Sequence, residues 1–374
     1  MEKTASLENT HAETIQWKQL WSLAALYSSI VIGWIAYHNY QPKLLVKFNF
    51  TDFTFLLTLV QGIILVITPL IAGKLGDRYR FQQGHRLPII STGISFAAMI
   101  FMAVAFTLLG NPGEIFKWML PVLIVLWLVA MSIFTSPALS TLELFTPIDK
   151  LPSAMAILTI VGNLIYALEP IIVDIIDYIG APLTFIVGGT VVFISGYALK
   201  KNSTGLFNTT SAAPSASVVL DTQKSSYGFI FFMGIALGFA TTILFDFFPE
   251  VLQANLSTYF PVEGKWMIVG ILLISALISW PASQFVNKYG MEEVFWGSVA
   301  LIGISMSGVI FLSDAWIVLI MAVLFAITFT TLSVSSLPLA IKNANYYEKV
   351  FCVGIFFSGV EFPESIIETI LAHH

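Results

Sequence analysis

Gly73-Lys74-Leu75-Gly76-Asp77-Arg78-Tyr79-Arg80 carries four charged side chains in eight residues, and it stands between two long apolar runs at about 53–73 and 87–109. Such punctuation is rare in this chain. Of 374 residues, 57% are hydrophobic and only 10% charged, against about 25% charged in a soluble domain. Too little charge remains to coat a globule, so most of the outer surface is expected to face an apolar medium.

Working outward from that stretch, the sequence breaks into runs of about 20 mostly apolar residues, the length a helix needs to cross the hydrocarbon core. Lone strands cannot cross, because their backbone groups would go unsatisfied. Eleven runs are readable: about 19–38, 53–73, 87–109, 118–139, 153–175, 179–199, 228–248, 266–286, 294–312, 315–338 and 350–371. An all-α polytopic membrane protein is therefore expected. Most connections are short. Residues 200–227, rich in Ser, Thr, Ala and Asn, read as a flexible cytoplasmic linker. It separates six spans in residues 1–199 from five in residues 228–374.

Orientation follows from the basic residues. With the N-terminus in the cytoplasm, thirteen of the seventeen lysines and arginines fall on that side, and only Lys43, Lys47, Lys117 and Lys265 fall outside. Residues 1–17 are polar and acidic and do not read as a cleavable signal peptide, so the first span is expected to stay in the membrane.

The two sides of the linker repeat one another in order. The end of span 1, His38 to Leu45, matches the end of span 7, Phe245 to Leu252, which pairs Asn39 with Asp246. Gly73 to Tyr79 matches Ser283 to Tyr289, so that Asp77 and Arg78 fall on Asn287 and Lys288. Gly93-Ile94-Ser95 falls on Gly303-Ile304-Ser305, and Glu169-Pro170 corresponds to Glu361-Phe362-Pro363. Four matches in order indicate a six-plus-six duplication. The partner of span 6 would start near residue 372, two residues before the end, so the twelfth helix is expected to be missing through truncation.

With these features in place, the chain resembles the major facilitator superfamily, whose motif Gly-x-Leu-Ala-Asp-Arg-x-Gly-Arg is matched by Gly73, Leu75, Asp77 and Arg78. Arg80 stands where the family has its second glycine, so the sharp turn there is expected to differ. The resemblance implies two pseudo-symmetric six-helix halves and alternating access. It also implies that Asp77 contacts a neighbouring helix end and latches the halves on the cytoplasmic side; the bland alternative is a loop that only anchors by its positive charge. Ser136-Pro137-Ala138 and Pro147 are loosely similar to glycoside–cation symporters.

Ionisable groups inside spans are costly and therefore informative. Glu169 in span 5, and Glu361 and Glu364 in span 11, are candidates for proton coupling or solute binding. Glu368 extends the same helix face, and Pro363 is expected to kink that helix. Asn163 and Tyr166 share span 5 with Glu169. Asn39 and Asp246 precede prolines at matching helix ends, where the helix is expected to stop or bend. Trp34 and Trp280 are candidate cavity aromatics, with packing as the simpler role. Thr328, Thr330, Thr331, Ser333, Ser335 and Ser336 make span 10 hydroxyl-rich, a composition that favours close helix packing.

The expected function is secondary transport of a small polar solute across the inner membrane, with the proton as candidate coupling ion and a monomer in the bilayer as the working unit. The alternative is a non-transporting receptor or assembly factor on the same fold, which would be expected to lose buried polar groups. An enzyme is not expected, since no nucleophile lies near a base. No metal or other cofactor is expected: Cys352 is the lone cysteine, and the five histidines lack ligand spacing. No phosphate-binding glycine loop points to ATP, and no basic stripe points to nucleic acid.

Overall fold

The computed structural model describes residues 14–47, 54–110, 114–210 and 224–371. Lys3, His11, His373, His374 and residues 211–223 of the expected linker lie outside these. Among the described residues there is no strand, and eleven helical spans are long and apolar enough to cross a membrane. In chain order the helices are α1 (Trp17–Lys47), α2 (Thr54–Gln83), α3 (Leu87–Leu109), α4 (Glu114–Leu139), the short α5 (Leu142–Phe145), α6 (Leu151–Ala167), α7 (Glu169–Ile179), α8 (Ala181–Thr210), α9 (Tyr227–Thr242), α10 (Phe248–Leu256), α11 (Gly264–Tyr289), α12 (Met291–Phe311), α13 (Ala315–Lys342) and α14 (Lys349–Leu371).

The spans lie where the apolar runs place them but overrun their edges, and three overruns correct the sequence reading. Residues 73–80 are not a loop: they form the last turns of α2, and the chain turns only at Gly84, whose φ of 77° suits glycine. Arg80 therefore occupies helix and not a sharp turn. Residues 200–210, read as linker, continue α8 as helix. α1 passes through Pro42 to Lys47. A proline costs a helix one hydrogen bond, and here tertiary bonds hold the flanks: Tyr40 donates to the Ile176 carbonyl at 2.7 Å and Gln41 to Gln61 at 3.0 Å.

Proline acts differently in three other places. Span 5 is divided at Leu168, so that Glu169 and Pro170 open the new helix α7. Before Pro249, residues Ile243–Phe247 form a π-helical turn that carries Asp246; such wide turns are frequent at functional sites. α14 runs through Pro363 as one continuous helix.

The most extensive joins between the first repeat and the second are α2 against α14 and α6 against α11, with α6 also touching α13 and α4 touching α14. The α2–α14 pair is close along most of its length. A Cβ on Gly73 would lie 2.6 Å from the Phe351 Cα, and one on Gly354 would collide with the Pro69 carbonyl. Ser358 donates to the Val66 carbonyl at 2.6 Å. Small residues permit this approach, which supplies packing where water cannot drive association. On the opposite face of α2, Ile63, Ile67 and Ile71 are exposed, as a lipid-facing stripe should be.

Candidate functional site

At one end of the α2–α14 pair, Asp77 faces the first turn of α14. Its Oδ1 accepts from the Val350 N–H at 3.1 Å and its Oδ2 from the Phe351 N–H at 2.8 Å. The first N–H groups of a helix have no intrahelical partner and carry the positive end of its dipole, so a buried carboxylate suits them. Gly73 and Gly76 let α2 approach closely enough for these bonds. Leu75 packs against the core, while Arg78 is exposed.

Beside Asp77 lies a centre that the sequence reading missed. Glu143, 2% exposed, lies on α5 and receives Arg86 Nη2 at 2.6 Å and Lys349 Nζ at 2.8 Å. Arg80 stands 3.9 Å away and donates to the Tyr346 carbonyl at 3.0 Å, its guanidinium lying over the Tyr346 ring. Arg86 also donates to Ser140 at 2.6 Å. Burial pushes the Arg86 pKa down from its ordinary value, and neighbouring Glu143 pulls it back up. One carboxylate thus ties α2, the α2–α3 turn, α5 and the start of α14. Glu143 sits four residues beyond the edge drawn for span 4. The available signal was a lone acid in the otherwise apolar run Thr141-Leu142-Glu143-Leu144-Phe145.

The second repeat places Asn287 at the corresponding end of α11, where its amide donates to Ser153 Oγ at 2.9 Å in the first turn of α6. This contact stands where Asp77–α14 stands in the first repeat, but Asn287 donates to one side-chain hydroxyl where Asp77 accepts from two backbone N–H groups, and it is neutral and more exposed. Lys288 lies 5.1 Å over the ring of its neighbour Tyr289.

A second group of polar residues gathers elsewhere between the repeats. Tyr166 stands within electrostatic reach of Glu169, Glu361 and Glu364. Glu364 and Glu368 reach Asp246, and His38 of α1 reaches both Asp246 and Glu368. Glu169, Glu361 and Glu364 are half-buried; Asp246, Glu368 and His38 are exposed. Among the described residues, no hydrogen bond or ion pair reaches the side-chain oxygens of Glu361, Glu364 or Glu368, and of the groups acting on them only His38 is basic. Asn163 is buried with its amide nitrogen unpartnered.

Several candidates sit apart. Asn39 donates to Asp177 at 3.1 Å, and Lys43 pairs with the same carboxylate at 2.8 Å. Trp34, by contrast, adjoins the carboxylate group: its ring centre is 5.8 Å from His38 and 5.2 Å from Trp127. Trp280 shares the exposed face of α11 with Leu273 and Leu277. Two hydroxyls of α13 join helices, Thr330 to Ser275 of α11 and Thr331 to Ser298 of α12 at 2.7 Å, while Thr328, Ser333 and Ser335 donate to carbonyls of α13 itself.

The model of the Major Facilitator Superfamily matches residues 20–360. No curated protein sequence matches significantly. Among solved structures, the human organic anion transporter MFSD10 (TETRAN) superposes with a TM-score of 0.68 at 11% identity, over 96% of this chain and 93% of that one. The proton:xylose symporter XylE, bound to 6-bromo-6-deoxy-D-glucose, superposes with a TM-score of 0.58 at 11% identity, over 94% and 88%. At such identities the likeness is one of fold.

Proposed function

Because the chain belongs to the Major Facilitator Superfamily, whose coarse function is membrane transport, we propose that it is a secondary transporter moving a small polar solute by alternating access. In this reading residues 1–199 and 228–374 are the moving halves, the N-terminus is cytoplasmic, and the Asp77 end closes the cytoplasmic side. The observation that carries it is the pair of bonds from the α14 backbone to Asp77 across the two repeats. Hydrogen bonds to a charged group contribute about 1.5–3 kcal/mol each. That is strong enough to hold one end shut and weak enough to break in a working cycle.

The coupling step is assigned to the unpaired carboxylates. Glu169 and Glu361 occupy equivalent places in the repeat, and both lie within electrostatic reach of Tyr166. A proton or cationic solute bound there neutralises charge that would oppose rocking of the halves through the bilayer. The human neighbour is an organic anion transporter; a carboxylate-lined path opposes that cargo here, because like charges repel.

Uptake into proteoliposomes under an imposed pH gradient tests the assignment. Native protein should accumulate its solute with the gradient, and Glu361→Gln should retain binding but lose gradient-driven accumulation by about 10²-fold or more, the scale of a lost proton-transfer group. Glu169→Gln should act in the same direction. Gradient-driven uptake unchanged in both variants would sink the coupling role while leaving transport itself intact.

A further inference from the structure

An aromatic ladder from the first repeat runs up to the carboxylates that lie between the repeats. Trp127 of α4 stacks on Tyr37 of α1, with ring centres 4.8 Å apart and planes 8° from parallel, and Trp34 meets Tyr37 edge-on at 5.5 Å. His38 follows, 5.3 Å from Tyr37 and 5.8 Å from Trp34. The ladder ends among the acids: Tyr37 lies within electrostatic reach of Glu364 and Glu368, and His38 within reach of Glu368 and Asp246. From α6, Tyr166 also reaches Glu364, and its ring packs 5.0 Å from Phe245, the neighbour of Asp246. Trp34, Tyr37, Tyr166 and Phe245 are half-buried, so these rings are not sealed into the core.

Charge and shape together select what this place holds. Among the described residues, the only basic group acting on Asp246, Glu364 and Glu368 is His38. Three carboxylates against one imidazole leave an excess of acid groups, which favours a cation. Glu364 and Glu368 share one face of α14, and the exposed Phe362, Ile366 and Ile370 lie on the other. Among the described residues, no three acidic, histidine or cysteine side chains come close enough together to hold a metal ion, so the acids are spread more widely than a bare ion requires. Aromatic faces attract a desolvated ammonium within about 6 Å of the ring centre. Asn163 adds a polar feature: one turn before Tyr166 on the same side of α6, it is buried with an amide nitrogen that has no acceptor. We propose, resting on the transport reading above, that the solute is an organic cation, a substituted ammonium with an oxygen acceptor, held between the Trp34 and Tyr37 rings and the carboxylates of Asp246, Glu364 and Glu368. The acids thereby divide: Glu169 and Glu361 serve coupling, and the three that reach Tyr37 or His38 hold cargo.

Calorimetric titration of the detergent-purified chain tests this, with choline, its neutral isostere 3,3-dimethyl-1-butanol, the anion 3,3-dimethylbutanoate and sodium as probes at fixed ionic strength. Binding requires no gradient and no moving gate, so its outcome is independent of uptake. Choline should bind saturably and about tenfold or more tighter than the neutral alcohol, the anion should not bind, and sodium should not displace choline. Glu364→Gln and Glu368→Gln should each weaken choline about tenfold or more, the scale of removing one partner of a desolvated charge pair, with the melting temperature as the check on folding. Tyr37→Leu should weaken it about tenfold, and Tyr37→Phe, which keeps the ring, should restore it. Choline bound no more tightly than the neutral alcohol in the native protein would overturn the proposal and leave the transport reading standing. Unchanged affinity in Glu364→Gln, or displacement by sodium, would overturn it too. Choline binding as described without gradient-driven uptake would keep the cation site and sink the transport reading instead.

Discussion

At Glu143 one buried carboxylate meets Arg86 and Lys349 directly and Arg80 at longer range. Removing the carboxylate leaves two buried cations without their partner, which costs far more than the net worth of the pairs. Glu143→Gln is thus expected to destabilise the protein by about 3–5 kcal/mol, read as a large fall in melting temperature in detergent. Asp177→Asn is the control. Hydrogen bonds from Lys43 and Asn39 hold the Asp177 carboxyl below its ordinary value, so its contribution is present above about pH 4 and fades as the pH falls through the depressed value. That exposed pair contributes no more than about 1 kcal/mol, and the substitution should barely move the melt. The two sites differ in how they could be found. Asp77 was legible because its motif and its repeat copy are local in sequence. Its neighbour Glu143 was not, because Arg86 and Lys349 are 57 and 206 positions away and only the fold brings them together.

Helices were the most legible elements, since composition over twenty residues decides whether a segment can cross a bilayer. Their ends and irregularities were not. Prolines at 42, 170, 249 and 363 look alike in sequence, yet α1 and α14 run through theirs, span 5 is divided, and a π turn precedes Pro249. At Pro42 the Tyr40 and Gln41 contacts, which join residues far away in sequence, flank the proline within the continuing helix. The α2–α14 pair makes a sharper statement about its small residues. A methyl at Gly73 meets α14 backbone, whereas a methyl at Gly270 of α11 meets nothing within 4 Å. Gly73→Ala should therefore part the helices and lower the melting temperature, by the scale of an overpacked core at about 1–3 kcal/mol. Gly270→Ala should be neutral or stabilising by up to about 1 kcal/mol, from helix propensity. Equal melts for the two variants would show that the close approach of α2 to α14 carries no stability.

For the whole molecule, the Asp77 contact and the carboxylate cluster are separate groups bridging the same two repeats. Alternating access requires the first to break when the second is exposed to the other side of the membrane. A covalent tie across the Asp77 contact should therefore stop the cycle without touching any residue proposed to bind solute or proton. Gly76 and Val350 provide the place: an ideal Cβ on Gly76 lies 3.2 Å from the Val350 Cβ, close to the ~3.5–4.5 Å spanned by disulfides. Cys352 is buried on the same helix as Val350, so the test uses a Cys352→Ser background carrying Gly76→Cys and Val350→Cys. Oxidation should abolish uptake and reduction should restore it, while solute binding from the open side persists in both states. Uptake that continues in fully cross-linked protein would mean that α2 and α14 stay together throughout transport, and the moving joint would then have to be sought at α6 and α11, where the neutral Asn287–Ser153 contact is the weaker of the two.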